Sequence, residues 1–198
     1  MNTITERKFH CLLLLLLFAL LMMVVCSISL GRYYISPVHV VKIILAPLYP
    51  MVQDWSNQAS SVIYTLRLPR ALAAMMIGAA LSLSGASYQS VFKNPLVAPD
   101  MLGVSSGACV GASLCILLGF SQAGVQGGAF AGGLLAVFLA VSIPRIIGKN
   151  SIVMLVLSGI IVSGLTGSLL GIIKYLADSD TQLPAITYWQ LGSLVSVV

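Results

Sequence analysis

The sequence predicts an all-α fold, a bundle of about five transmembrane helices. The 198 residues are 59% hydrophobic and only 8% charged, where a soluble domain carries about 25% charged residues. Mean hydropathy is +1.04. Apolar runs near or above the ~18 residues that mark a membrane span recur along the chain. So few polar side chains cannot cover a water-exposed core, which excludes an ordinary soluble enzyme or binding domain.

The formal charge of +5 does not imply a nucleic-acid partner. That function needs lysines and arginines gathered on one face, and here they are scattered at the ends of apolar runs. Cys11, Cys26, Cys109 and Cys115 lie in or beside apolar runs with no CxxC pair, so they read as small packing residues rather than a disulfide or zinc set.

Met1–His10 is a short polar start. Cys11–Leu30 is the first span, long enough at 1.5 Å per residue to cross ~30 Å of hydrocarbon. It exceeds a signal-peptide core of ~7–15 residues and is followed by no A-x-A-like cleavage site, so it reads as uncleaved. Gly31–Arg70 is a long extracytoplasmic loop punctuated by Pro37, Pro47 and Pro50, with Val38–Ala46 as a possible interfacial helix. His39 stands without other ligands at metal spacing, and a site wants three or four; no metal or cofactor is expected.

Ala71–Val91 is the second span. Lys93–Asp100 breaks the chain with two prolines, and Met101–Phe120 is the third. Ser121–Gln126 is a tight turn before the fourth span, Gly127–Ile143. Pro144, Arg145, Gly148 and Lys149 make a basic loop, and Ile152–Ile173 is the fifth span. Lys174–Pro184 is polar, and the last apolar residues never reach spanning length. The whole of 1–198 reads as one membrane domain, apparently truncated.

Small residues recur at four-residue spacing in four of the spans: Gly78 with Ala74, Ser82 and Ala86; Gly103, Gly107 and Gly111; Gly128 and Gly132 after Gly124; and Gly167 and Gly171 after Gly159 and Ser163. Lipid gives helices no hydrophobic reason to associate, so close backbone approach must hold them together. These glycines are therefore predicted to be packing positions.

With the amino terminus placed in the cytoplasm, the flanking cations divide five against five. The short loops, where the positive-inside rule is strongest, favour this orientation: Lys93, Arg145 and Lys149 fall inside, while Ser121–Gln126 carries no charge. Arg67 and Arg70 then lie outside, either as headgroup-seeking side chains or as functional cations.

Gly103–Gly107 matches G-x-S-x-G, but a nucleophile elbow needs a strand-to-helix turn and a triad partner. The histidines are His10 and His39 alone, so no catalytic residue is assigned; a membrane-embedded serine enzyme using Ser105 is a minor alternative. No Walker A sequence is present. The spans hold hydroxyls, Tyr88 and Gln89 but no ionisable pathway residue. That pattern suits a conduit powered from elsewhere.

The residues RLPR (Arg67–Arg70), GAALSLSGASYQSVFKNPL (Gly78–Leu96) and APDMLGVSSGACVGA (Ala98–Ala112) resemble the FecCD-type permease family. Weaker matches are LVLSGIIVSG (Leu155–Gly164) and YWQLGSL (Tyr188–Leu194). Members are membrane subunits of ABC importers for iron–siderophore, haem and cobalamin. The resemblance implies a permease of about ten helices in the bacterial inner membrane. It implies a second permease subunit, two cytoplasmic ATPases that hydrolyse the ATP, and an extracytoplasmic binding protein, in a surrounding of membrane lipid. Arg67 and Arg70 would meet acidic residues of that binding protein. The fifth span would line the translocation path, with Ser158, Gly159, Ser163, Gly164 and Thr166 leaving room for a bulky chelate. Members have roughly twice the spans seen here, and the loop that engages the ATPase comes later. A non-transporting remnant or scaffold is therefore the other alternative.

Overall fold

The computed structural model describes residues 3–49, 52–95, 97–148, 151–195 and 197. Pro50 and Lys149, both assigned to loops above, lie outside the described residues. Among the described residues all regular structure is helical: α1 (Thr3–Ser29), α2 (Pro37–Leu45), α3 (Asn57–Ser61), α4 (Leu68–Phe92), α5 (Val104–Leu117), α6 (Gln122–Ile147), α7 (Ile152–Leu176) and α8 (Gln182–Leu191). A π-helical turn, Val62–Arg67, joins α3 to α4, and a 3-10 turn, Pro99–Leu102, precedes α5. The chain divides into two compact units, Met1–Gly78 with Leu194–Val198, and Ala79–Ser193.

Four helical stretches are long and apolar enough to cross a membrane: Glu6–Ser29, Asn57–Phe92, Gln122–Ile147 and Ile152–Leu176. The predicted third span, Met101–Phe120, is not one helix. Gly103, at φ +76°, separates the 3-10 turn from α5. At the other end Gly119 takes φ +73°, and the Phe120 N–H closes on the Cys115 carbonyl at 2.9 Å. That pair of features is a Schellman stop. The 14 residues left in α5 rise about 21 Å, short of the ~30 Å hydrocarbon thickness.

Other boundaries also move. Helical backbone is continuous from Asn57 to Phe92, 36 residues, so Arg67 and Arg70 stand on a helix and not in a loop. Pro69 explains the π turn just before it. A proline ring crowds the carbonyl four residues back and supplies no N–H; widening the preceding turn relieves the crowding, and the Leu68 N–H reaches back five residues to the Ile63 carbonyl. Pro144 and Arg145 lie inside the last turn of α6, because a proline there removes one hydrogen bond without stopping the helix. Lys174 lies inside α7, and the predicted turn at Ser121–Gln126 is already helix from Gln122, with Ser121 as its N-cap.

In the first unit, only the end of α1 is anchored. Ile28 joins Ile35, Val40, Ile43, Ala59, Ile63 and Ala71 in one buried cluster, with Trp55 and Leu68 partly buried against it. The rest of α1 is open: Leu14 is 67% and Met23 71% exposed, as suits a lipid-facing helix. The α2 helix turns Val40 and Ile43 inward and leaves Val38 and Val41 exposed. Hydrogen bonds tie it down. Lys42 pairs with Asp54, His39 Nε2 lies 3.9 Å from the same carboxylate, and Tyr64 donates its hydroxyl to the Ile43 carbonyl. The Lys42 ammonium holds the Asp54 carboxyl below its usual range.

In the second unit, α5 and α6 meet through glycine. A Cβ on Gly111 would lie 2.0 Å from the Gly128 carbonyl oxygen, and one on Gly107 2.6 Å from the Gly132 carbonyl oxygen. The α7 helix receives the 3-10 turn in the same manner, since a Cβ on Gly159 would lie 1.9 Å from the Met101 oxygen. Leu102, Ala136, Ala140 and Val162 pack beside that contact. Ala112, Val125 and Ala129 fill the α5–α6 seam, while Leu170, Ile173, Ala177 and Ile186 seat α8.

Gly111→Ala and Gly159→Ala should each destabilise the chain by about 1–3 kcal/mol through overpacking. Gly127→Ala, whose Cβ meets nothing within 4 Å, should be neutral or slightly stabilising through better helix propensity. Thermal unfolding in detergent reads the difference, and equal melting of all three variants would remove the packing role. The Asp54 tether carries a pH signature. Its folded pKa is lowered, so the stabilisation is complete above the ordinary carboxylate range and is lost as pH falls through the lowered value. In a Trp189→Phe background, Trp55 emission should hold steady through neutral pH and shift on acidification. Asp54→Asn should show the acid spectrum at pH 7.

Candidate functional site

In the first unit, the carboxyl end of α1, the turn before α4 and the start of α4 line an open cavity of about 560 Å³. Arg32, Arg67 and Arg70 line it, with Tyr33 and apolar Leu30 and Leu66. The helix register places Arg67 and Arg70 three residues apart and therefore on one face. The α1 helix ends at Ser29, and its last carbonyls have no partner within the helix. Arg67 supplies one. Its Nη1 donates to the carbonyls of Ile28 and Ser29, the latter at 3.0 Å, and its Nη2 to that of Tyr33. The cation also sits against the negative end of the α1 dipole.

Gly31 makes room for this arrangement, since a Cβ there would lie 2.6 Å from Arg67 Nη2. Arg70 donates from Nη2 to the Val195 carbonyl at 2.7 Å and from Nε to that of Val197 at 3.3 Å. Both arginines are half-buried. Their acceptors are neutral carbonyls, so the positive charges are oriented and not neutralised. Arg32 escaped selection from the sequence. Its signal was its place three residues past the end of a span, and only the fold brings it beside the other two.

The predicted path residues lie in the second unit on α7, and they divide. Ser158, Gly159 and Thr166 are buried, Ser163 is half-buried and Gly164 is exposed. Ser158 Oγ donates to its own helix at the Met154 carbonyl, 2.7 Å, and Thr166 Oγ1 to that of Val162, 2.8 Å. A Cβ on Gly103 would meet Ser163 Oγ at 3.0 Å, and Gly103 is thereby close-packed against α7. Around Gly78, Gly164, Gly167 and Gly171 a Cβ would meet nothing within 4 Å, so there is room for a side chain at each of these positions. Each step of four residues turns a helix by about 40° beyond a full revolution. The stripe from Gly159 to Gly171 therefore rotates from the packed side to the open side.

Ser105 sits in the first turn of α5, and its N–H donates to Asp100 Oδ1 at 3.3 Å. A 3-10 turn precedes it where an elbow needs a strand, and His10 and His39 belong to the other unit.

Arg67→Gln should free the end of α1 and lower stability by about 1.5–3 kcal/mol, the usual worth of hydrogen bonds from a charged group. Arg67→Lys, which keeps the charge but loses the fork, should fall between Gln and wild type. Unfolding temperature and proteolysis at residues 29–34 measure both; wild-type behaviour of Arg67→Gln would deny the clamp.

Residues 16–197 match the profile of the FecCD transport family. The chain is 37% identical over 174 residues to the molybdate import system permease protein MolB of Haemophilus influenzae, covering 87% of this chain and 50% of that protein. It is 41% identical over 138 residues to an iron chelatin transport system permease of Helicobacter pylori, covering 70% of this chain and 41% of the other. Against the vitamin B12 import system permease BtuC of Escherichia coli it is 33% identical over 195 residues, 96% and 53% of the two lengths. A solved metal-chelate type ABC transporter in an inward-facing conformation superposes with a TM-score of 0.77 at 33% identity, covering 94% of this chain and 54% of that one. The chain thus spans about half the length of the relatives it matches. With four apolar helices of spanning length and a profile match over nearly its whole extent, this multi-pass membrane chain belongs to the FecCD transport family.

Proposed function

We propose that the chain is the membrane-spanning permease subunit, or the amino-terminal part of one, of a binding-protein-dependent ABC importer in a bacterial inner membrane. Its first substrate class is an iron(III)–siderophore, with haem and cobalamin next. The observation that carries this reading is the family match over residues 16–197. Relatives named for iron chelatin, haemin and vitamin B12 favour a bulky chelate, and the molybdate permease among them keeps a small oxyanion in view. The partners are a second permease subunit, cytoplasmic ATPases and an extracytoplasmic binding protein.

Arg67 and Arg70 serve as the docking cations in this proposal. Bonding to neutral carbonyls fixes their position and leaves their charge intact, so they steer an acidic partner and set its register. On α7 the space for passage lies beside Gly164, with Ser163 at its margin. Ser158, Gly159 and Thr166 shape that helix from the packed side.

Charge reversal tests the docking role. In the full-length transporter, Arg70→Glu should slow association with the cognate binding protein by about tenfold or more at low salt and flatten the salt dependence. Unchanged rate and salt slope would reject it. Uptake of labelled iron–siderophore, haem, cobalamin and molybdate by cells with and without the intact gene decides the substrate, and uptake of none of them would reject the importer reading.

A further inference from the structure

The arginine-lined cavity of the first unit carries more positive charge than the described residues neutralise. Arg32, Arg67 and Arg70 line it, and no carboxylate does. The first unit has two acidic residues among its described positions. Asp54 is engaged by Lys42, and Glu6 lies at the opposite end of α1. Arg67 and Arg70 spend their donors on carbonyls. Among the described residues the Arg32 guanidinium makes no hydrogen bond or ion pair. Three like charges in one concave site repel one another, and an anion placed among them removes that cost.

The rest of the lining says what kind of anion. Leu30, Val62, Leu66 and Ala74 add apolar surface to the lining beside the guanidiniums. A small hydrated ion gains nothing from that apolar lining. The cavity lies where α1 ends, after a run of exposed leucines that face lipid; this is the level at which a span passes from acyl chains to headgroups. Guanidinium forks match phosphate oxygens two at a time.

We infer that this cavity binds the phosphate-bearing headgroup of an anionic phospholipid, with Arg32 as its free ligand-binding cation, Arg70 beside it, and the first acyl carbons against Leu30 and Leu66 of the lining. Arg67 is a positioning residue, because it holds the end of α1 against the cavity. Arg67 and Arg70 are also the proposed docking cations, so Arg32 is the residue that tells the two contacts apart.

The test is lipid retention. The full chain is reconstituted in nanodiscs of mixed phosphatidylcholine and phosphatidylglycerol, returned to detergent, and its bound lipid read by native mass spectrometry. Wild type should retain phosphatidylglycerol over phosphatidylcholine by about tenfold, the effect of one charge-assisted hydrogen bond. Arg32→Gln should lose most of that preference, Arg32→Lys should keep part of it, and Lys93→Gln, on the second unit, should keep all of it. Arg32 has no described internal bond, so its variants should melt with the wild type. Retention by Arg32→Gln equal to wild type would overturn the proposal. So would complete displacement of the lipid by millimolar inorganic phosphate, which would make the ligand a free anion. Loss of binding-protein association in Arg32→Gln with lipid retention unchanged would make the cavity a protein contact instead, and would also overturn it.

Discussion

An apolar side chain gains little by leaving lipid for a helix interface, because both surroundings are hydrocarbon. What a membrane helix can gain is dispersion contact and the removal of gaps, and both need backbones to come close. The second unit is built on that constraint. Gly107, Gly111, Gly128 and Gly132 let α5 and α6 approach until a carbonyl of one lies where a Cβ of the other would be. Gly159 accepts the Met101 carbonyl in the same way. The shortness of α5 follows from this packing. A 3-10 turn must fold back onto α7, and the chain reaches α5 only after Gly103 has turned the corner.

The first unit solves a different problem. Most of α1 packs against nothing described in this chain, so its end must be secured locally. Ile28 does so through apolar burial, and Arg67 does so by satisfying carbonyls that the helix leaves open. Ser29 adds its own hydroxyl bond to the Ile35 carbonyl, which holds the turn after the span. Arg67 and Ser29 thus spend their polar groups on the backbone at the end of the span.

Much of this was legible in the sequence and some of it was not. Composition and apolar run length gave the helical membrane class, because those quantities depend on no contact. The four-residue glycine spacing located the surfaces that could pack but not their partners. In this chain Gly111 meets Gly128, whereas a Cβ on Gly171 would meet nothing within 4 Å, since spacing does not reveal how far the stripe has rotated. The third span was read too long because Gly103 and Gly119 look like packing glycines until their backbone angles are known. Pro144 was taken as a stop, although a proline in a last turn removes only one bond. Arg67 and Arg70 were found from their motif, and Arg32 was not, because its nearness to them is tertiary.

The arginines show how a residue can serve the fold and still keep its charge. A guanidinium has five N–H donors and one charge. Carbonyls can take up the donors while leaving the charge, so a residue that clamps α1 still projects a positive field. The clamp also removes the rotamer freedom that a loose surface arginine would lose on binding, a cost of about 0.5–1.5 kcal/mol for each such side chain. Arg67 is therefore preorganised by the structural work it performs. Arg32, with no described bond, retains its donors. In the inferred anion site Arg67 would therefore supply field from a fixed position, and Arg32 the hydrogen bonds.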